Sequence, residues 1–241
     1  FRYYLTQMVD DFNRKGFGVV FLIDEVHGDD KDIREFVTSY QHLVRDEADV
    51  ALLMAGLPHS VNSVLNSKVL TFLRRAHKIA LPNINLLLVR NMYANTFEEG
   101  GFRFDKDILQ RAADATMGFP YLIQLMGFWL WRAGTAVLTH KDVENALVNS
   151  KAALFDDVYE IMLREISEKD REFLLGMQTD LTDTRFGELI KRMDVTPGYA
   201  SKYRQRLIQV GLIEPTVHGS ITYAPPYFGE FLALQTTVWG E

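Results

Sequence analysis

The sequence contains no cysteine among its 241 residues. This absence excludes a disulfide framework, thiolate metal sites and a cysteine nucleophile, and it is typical of the reducing cytoplasm. Long hydrophobic runs are also missing, because the two longest, 19–23 and 119–131, are too short or too interrupted to span a bilayer. No signal peptide with a charged first segment is recognisable. We therefore expect a cytoplasmic protein without a membrane anchor.

An excess of positive charge is missing as well. The 26 lysines and arginines are outnumbered by 32 aspartates and glutamates, so the formal net charge is −6. A pI near 5.6 argues against coating of nucleic acid or of an anionic membrane, but it is compatible with a local basic surface. With 47% hydrophobic and 24% charged residues, the composition is that of an ordinary globular protein with one large domain or two small ones.

The first part of the chain has the pattern of an α/β fold. A helical pattern over 1–15 leads into Val19–Ile23, a continuous apolar run, and a second such run covers 50–55 after helical periodicity over 29–44. These runs predict two parallel strands, each buried on both faces and joined by a crossover helix. A third short strand is expected over 76–81. Since two strands are too few for a stable sheet, at least one more pair is expected from sequence outside these residues or from a partner.

The pattern becomes helical from residue 84 onward. Helices are predicted over 84–93, 105–116, 120–131, 139–150 and 153–165, and then over 167–177, 184–193 and 197–210. Thr139 and Ser167 are expected to cap two of these helices, and Asp183 or Thr184 a third. A hairpin is predicted over 212–223, and three helices with a hairpin are typical of a winged helix. We therefore predict a mainly α protein that combines a partial α/β sheet (1–100), an all-α lid (101–166) and a winged helix (167–241).

Two acidic residues, Asp24 and Glu25, directly follow the first predicted strand. Ligands of parallel sheets gather at the carboxyl ends of the strands, so these carboxylates are placed at the mouth of a site. An aspartate beside nucleotide phosphates can hold Mg²⁺, and a glutamate next to it can polarise the attacking water. The alternative is a pair of solvated acids that cap the loop before the next helix.

The sequence around these acids is similar to a known family. The run Val19-Val20-Phe21-Leu22-Ile23-Asp24-Glu25 resembles the Walker B strand of AAA+ and STAND-type P-loop ATPases. The family order continues with a strand ending Leu53-Met54-Ala55-Gly56, then Arg74-Arg75, then a helical lid opening Gly118-Phe119-Pro120, and then a winged helix. The arrangement covers nearly the whole chain and is most similar to the archaeal-type and transposition-associated branch. The resemblance implies an ATP- and Mg²⁺-dependent switch that binds DNA or a protein partner and forms a homo-oligomer.

The resemblance also implies roles for individual residues of the first part. Asp24 matches the residue that holds Mg²⁺, and Glu25 matches the catalytic glutamate. Arg74 or Arg75 stands at the place of an arginine finger, which in this family reaches the nucleotide of a neighbouring subunit. The alternative is that the two arginines only keep the surface solvated.

The chain departs from the family pattern where the nucleotide binds. Gly118 and Pro120 match the lid turn that packs near adenine, but Tyr121 stands where the family has an arginine that senses the γ-phosphate. No G-x-x-x-x-G-K-[ST] sequence occurs in these residues, although that loop cradles the β- and γ-phosphates. We therefore expect the C-terminal part of a longer ATPase whose phosphate loop precedes Phe1. This polypeptide by itself is expected to hydrolyse ATP poorly or not at all.

The last predicted helix carries the local basic surface. No acidic residue occurs between Val195 and Ile213. The candidate DNA-contacting side chains on it are Tyr199, Ser201, Lys202, Tyr203, Arg204 and Arg206. Such a helix can enter the major groove of DNA. Because basic and acidic residues balance over 167–224, two alternatives stay open: a protein-binding winged helix, or a non-enzymatic DNA-binding or interaction module on a degenerate ATPase scaffold.

Overall fold

The computed structural model describes residues 1–26, 30–56, 58–65, 71–79, 81–133, 136–180 and 183–239. The chain forms two compact units: the first contains Phe1–Ile79, and the second contains most of the later residues. Within the described residues, no helix has both the length and the apolar character that crossing a membrane requires.

The first unit is a small α/β layer. Its elements are α1 (Arg2–Arg14), β1 (Val19–Ile23), α2 (Lys31–Arg45), β2 (Val50–Met54), α3 (Pro58–Leu65) and a 3₁₀ turn over Thr71–Arg75. The two strands are parallel, with Val19 opposite Val50 and Ile23 opposite Met54. The Asp30 carboxylate caps α2 by accepting hydrogen bonds from the backbone of Asp32 and Ile33. The predicted strand–helix–strand unit is therefore present.

The strand pair is covered on one face only. Residues Val19, Phe21 and Val50 pack against a core of Leu5, Val9 and Leu43 from α1 and α2. A second core of Val37, Val64, Leu65 and Leu73 receives Leu52 and Met54. On the opposite face, Val20, Leu22 and Leu53 expose 60%, 74% and 54% of their surface. The expected burial on both faces is thus absent from the described part of the chain, because α1, α2 and α3 all contribute to cores on the same side.

The prediction of a third strand over 76–81 is also wrong for the described residues of that segment. Residues 76–79 and 81 follow the 3₁₀ turn without regular structure, whereas residue 80 lies outside the described residues. The turn itself ends with a hydrogen bond from the Ala76 N–H to the Leu73 carbonyl. A short apolar stretch next to a proline does not form a strand unless a neighbouring strand accepts its hydrogen bonds.

The second unit is mainly helical. Its elements are α4 (Leu86–Glu99), α5 (Lys106–Ala115), α6 (Pro120–Arg132), α7 (His140–Leu154), a π-helical turn (Phe155–Tyr159), α8 (Glu160–Glu165), α9 (Glu168–Met177), β3 (Thr184–Arg185), α10 (Phe186–Met193), α11 (Pro197–Gln209), β4 (Ile213–Pro215), β5 (Ser220–Tyr223) and α12 (Phe228–Trp239). The predicted caps Thr139 and Ser167 are confirmed, since each forms a reciprocal capping box with an aspartate three residues later. Helix α12 was not predicted from the sequence.

Three helices and a small sheet follow α8. The sheet is antiparallel with the order β3-β5-β4, and β3 pairs with β5 through Thr184 and Ile221. The predicted cap at Asp183 or Thr184 is wrong, because Thr184 is a buried strand residue and α10 begins at Phe186 without a side-chain cap. The division at residues 100 and 166 stays a prediction; the compact units separate near residue 80, which places α4 in the second unit.

Candidate functional site

The carboxyl ends of β1 and β2 are joined by backbone hydrogen bonds beyond the strands. The Ala55 N–H donates to the Ile23 carbonyl over 2.9 Å, and the Val26 N–H donates to the Ala55 carbonyl over 3.0 Å. A Cβ at Gly56 would lie 2.9 Å from the Val26 Cγ2 atom, so only glycine fits this close approach. The loop that carries the two candidate carboxylates is therefore held firmly at both of its ends.

Between these anchors the chain turns Asp24 and Glu25 towards solvent. Both residues are exposed, whereas Val26 is 1% exposed. Glu25 adopts a left-handed backbone with φ 54°, which costs a residue with a side chain about 1 kcal/mol. Its N–H donates to the Asp24 Oδ1 atom over 2.9 Å. The hydrogen bond orients the Asp24 carboxylate, and strained residues of the Glu25 kind are often found at functional sites.

The donor set at this edge suits Mg²⁺. Mg²⁺ prefers hard oxygen ligands, and proteins often hold it through one or two carboxylates while water and phosphate oxygens complete the coordination. Asp24 provides such a carboxylate at the strand end. Among the described residues, no cluster of three or more acidic or histidine side chains is arranged to hold a metal by itself. Asp24 therefore offers a single carboxylate to a cation among the described residues.

A groove of about 460 Å³ lies beside β1. It is lined by Phe1, Phe21, Leu22, Ile23, Asp32, Ile33, Glu35 and Phe36. Most of these side chains are apolar, and the two acids belong to the first turns of α2. Neither Asp24 nor Glu25 lines the groove, so the carboxylate pair and the groove are separate features of the first unit.

The two candidate finger arginines, Arg74 and Arg75, end the 3₁₀ turn of the first unit. Both are exposed, and the turn is anchored by Leu73, which is 4% exposed. An exposed arginine on an anchored turn can reach a neighbouring molecule without disturbing the fold. The finger role of either residue stays a prediction.

The Gly118 turn connects α5 to α6 within the second unit. Gly118 has φ +72°, and a Cβ there would lie 2.2 Å from the Ile84 carbonyl oxygen. The Ile84 N–H donates to the Gly118 carbonyl over 2.8 Å. Pro120 occupies the first turn of α6, where its missing N–H costs nothing. Gly118 is therefore required by the backbone geometry, and Pro120 is compatible with the start of α6.

Tyr121 directs its hydroxyl to a neighbour inside the second unit. The hydroxyl donates to the Asp157 Oδ2 atom over 2.9 Å. Partial burial, and then this hydrogen bond, raise the pKa of Tyr121. The tyrosine at the expected phosphate-sensing position is thus engaged with the π-helical turn.

The structure separates the candidate DNA-contacting residues into two groups. Arg206 donates from Nε to the Asp170 Oδ1 atom over 3.0 Å, and from its Nη2 atom to the Ser167 hydroxyl over 2.6 Å. Asp170 is fully buried, so Arg206 neutralises a carboxylate inside the fold. Arg204 lies over the Phe186 ring at 5.0 Å. Both arginines therefore contact α9 or α10. The sequence did not predict this role, because the capping box identifies Asp170 as a cap but not Arg206 as its partner.

The other candidates lie on the outer side of α11. Lys202 is exposed, Tyr199 is 39% exposed and Ser201 is half-buried. The Tyr199 and Tyr203 rings lie 4.8 Å apart, and the hydrogen bond between their hydroxyls raises the pKa of Tyr199. The exposed basic groups of α11 are thus Lys202 and the ion-paired Arg206, which lies over the Tyr203 ring at 5.5 Å.

The chain was compared with protein families, curated proteins and solved structures. A family model described as a domain of unknown function (DUF8462) matches residues 156–232. No curated protein matches the chain significantly. The Walker-type ATPase PABY2304 of Pyrococcus abyssi superimposes with a TM-score of 0.70 over 96% of this chain and 67% of that chain, at 13% identity. The chain has the fold of a Walker-type ATPase. This agrees with the AAA+-like scaffold that the sequence resembles.

Two further solved structures align over most of the chain with lower scores. The Holliday junction branch migration motor RuvB of Thermotoga maritima has a TM-score of 0.46 at 16% identity, covering 87% of this chain and 68% of that chain. Cdc6p of Pyrobaculum aerophilum has a TM-score of 0.44 at 14% identity, covering 98% of this chain and 70% of that chain.

Proposed function

We propose that this chain is part of an ATP-dependent switch. Asp24 holds the Mg²⁺ that accompanies ATP, and Glu25 orients the water that attacks the γ-phosphate. The observation that carries the proposal is the pair of exposed carboxylates directly after β1, held at both ends by backbone hydrogen bonds, in a chain with the fold of a Walker-type ATPase. ATP supplies the phosphoanhydride whose cleavage resets the switch.

We further propose that additional strands complete the sheet of the first unit and bring the phosphate-binding loop. The support is the uncovered apolar face, where Val20, Leu22 and Leu53 are largely exposed. Parallel strands are normally buried on both faces. In this proposal the polypeptide of 241 residues binds and hydrolyses ATP weakly or not at all, because it contains no Walker A sequence.

The test is a Glu25→Gln substitution in the gene product that contains this chain. We expect turnover of ATP to fall at least about 100-fold, with nucleotide binding preserved, because the amide cannot accept the proton of the attacking water. Asp24→Asn should instead weaken Mg²⁺-dependent nucleotide binding. Glu47→Gln is the matched control, since Glu47 is also an exposed glutamate of the first unit with a left-handed backbone. Unchanged turnover in the Glu25 variant would contradict the assigned role.

For the C-terminal part we propose a winged helix that binds duplex DNA. The support is the arrangement of α9, α10 and α11 with the sheet β3-β5-β4, together with the absence of acidic residues from Val195 to Ile213. Lys202, Tyr199 and Ser201 are the contacts that α11 offers, whereas Arg204 and Arg206 are engaged with Phe186 and Asp170 of the same module. A protein partner, or a non-enzymatic module, is the competing possibility.

A Lys202→Ala substitution tests the DNA proposal. A phosphate contact from one lysine predicts weaker binding to every duplex and a salt slope reduced by about one. Lys141→Ala is the control, since Lys141 is an exposed lysine in the first turn of α7. Triple substitution with Arg204 and Arg206 is a poor test, because it removes interactions of the fold itself. Equal DNA binding by the Lys202 variant and the parent would favour the protein-partner alternative.

A further inference from the structure

The helical run from His140 to Glu165 contains a π-helical turn over Phe155–Tyr159. A π turn holds an extra residue, and such turns are often found at functional sites. The backbone hydrogen bonds around the extra residue can shift towards either end of the helix. A π turn can therefore exist in two arrangements. The contacts of this turn show which parts of the second unit it joins.

One side of the turn holds the beginning of α6. Asp157 accepts the hydrogen bond from the Tyr121 hydroxyl. Tyr121 directly follows the Gly118-Phe119-Pro120 turn, so a displacement of that turn acts on Asp157 through a single side chain.

The other side of the turn holds the beginning of α12. The Tyr159 hydroxyl is buried and donates to the Pro226 carbonyl over 2.6 Å. The Tyr159 ring lies 5.1 Å from the ring of Phe228 and 5.5 Å from that of Phe231, and Phe155 lies 5.3 Å from Phe231. The same five residues therefore contact the first residues of both α6 and α12.

A second link joins α12 to the other end of the Gly118 turn. The Tyr227 hydroxyl donates to the carbonyl of Ala115, the last residue of α5, over 2.7 Å. Lys151 of α7 pairs with Glu230 of α12 over 2.7 Å and lies over the Tyr227 ring at 4.1 Å. Helix α12 is thus tied to the chain on both sides of the 116–119 turn.

We propose that the π-helical turn is a mechanical joint that couples the Gly118–Tyr121 turn to α12 and so to the C-terminal module. Tyr121 is a positioning residue in this device: it acts through Asp157. As a route for nucleotide signalling the inference rests on the proposed function, but the coupling itself is a property of the second unit alone.

The experiment is native-state hydrogen exchange of the chain with a Tyr121→Phe substitution, which removes only the hydroxyl. Loss of a hydrogen bond worth about 1 kcal/mol should accelerate exchange roughly fivefold in the elements it supports. We expect faster exchange both in the first turns of α6 and at Phe228–Leu232. Tyr93→Phe is the matched control, because the Tyr93 hydroxyl also donates to an α6 carbonyl, that of Ile123, over 2.7 Å. It should accelerate exchange in α4 and α6 and leave α12 unchanged.

Asp157 gives a second, independent pair of variants. Asp157→Ala should reproduce the effect of Tyr121→Phe on α12, and Asp157→Asn should restore slow exchange because its amide oxygen still accepts the bond. If the Tyr121 and Asp157 variants accelerate hydrogen exchange only in α6 and the π turn, the proposed coupling is overturned. These measurements need no nucleotide. The variants can show the coupling while ATP and Mg²⁺ leave the hydrogen exchange of α12 unchanged in the gene product that contains this chain. That result would contradict the proposed function but not the coupling through the π turn.

Discussion

The two units differ in how completely they bury their own apolar surface. In the first, β1 and β2 are covered on one face and leave Leu22 mostly exposed on the other. In the second, α4 to α7 close around a core in which Met126 and Leu130 are fully buried. The candidate catalytic carboxylates lie on the first unit, and the Gly118 turn lies on the second. The difference indicates that the described residues leave the sheet of the first unit open on one face, whereas helices α4 to α7 form a closed core.

The strongest way to break the second unit is to remove the partner of its buried acid. Arg206→Ala leaves the buried Asp170 carboxylate without its counter-charge. We expect a loss of about 3 kcal/mol, the lower end for a broken pair, because Arg206 is itself 44% exposed and Asp170 keeps its hydrogen bonds from Ser167. Trp129 and Trp131 belong to α6 of this unit, so tryptophan fluorescence during urea unfolding reports on it. Arg164→Ala, which removes an exposed pair with Glu160, should change the free energy by less than about 0.5 kcal/mol. Equal losses would show that Asp170 is stabilised by other groups.

A matched pair of truncations tests the comparison directly. Met126→Ala in the second unit should cost about 3 kcal/mol, because it leaves a cavity in a closed core. Leu22→Ala in the first unit should cost less than about 0.5 kcal/mol in this chain, because the side chain is already 74% exposed. Amide exchange of β1 and tryptophan fluorescence measure the two effects. In the complete sheet that we propose, in which additional strands cover β1, the Leu22 variant should be strongly destabilising.

The Gly118 turn offers a smaller effect. Gly118→Ala forces a Cβ against the Ile84 carbonyl at a left-handed position, and we expect a loss of about 2 kcal/mol. Gly101→Ala is the control, because Gly101 has φ +77° and open space around its Cβ position. Its expected loss of about 1 kcal/mol reflects the backbone alone. Similar losses for the two variants in thermal unfolding would indicate that the turn adjusts to a side chain.

The smallest effect concerns pH. Arg192 forms a two-pronged ion pair with Asp180, with both N–O distances 3.1 Å, and this pair lowers the pKa of Asp180 below its ordinary 3.8. A carboxyl with a lowered folded pKa contributes stability above its unfolded pKa, and that contribution disappears as the pH falls through the folded value. Asp180→Asn should therefore remove about 1 kcal/mol at pH 7 and nothing once the pH lies below the folded pKa of Asp180. Equal losses at both pH values would assign the effect to packing.

Local signals in the sequence predicted much of the scaffold. The apolar runs at Val19–Ile23 and 50–55 became the two parallel strands, and Thr139 and Ser167 became caps. These features depend on residues within four positions of each other. Helix α12 and strand β3 were missed because both depend on distant contacts: β3 has only two residues and forms by pairing with β5.

The sequence by itself determined that two carboxylates end a strand, that no Walker A loop is present in these residues, and that α11 lacks acids. Only the tertiary structure decided what the charged and hydroxyl groups contact. Arg206 meets Asp170, and Tyr121 meets Asp157, each across 36 residues of chain. The composition of α11 predicted a basic surface, but the folded chain pairs Arg206 with Asp170 and places Arg204 over Phe186, while Lys202 is exposed. The reason is physical: hydrogen bonds within a turn are encoded locally, whereas the neutralisation of a buried carboxylate requires the helices to be packed first.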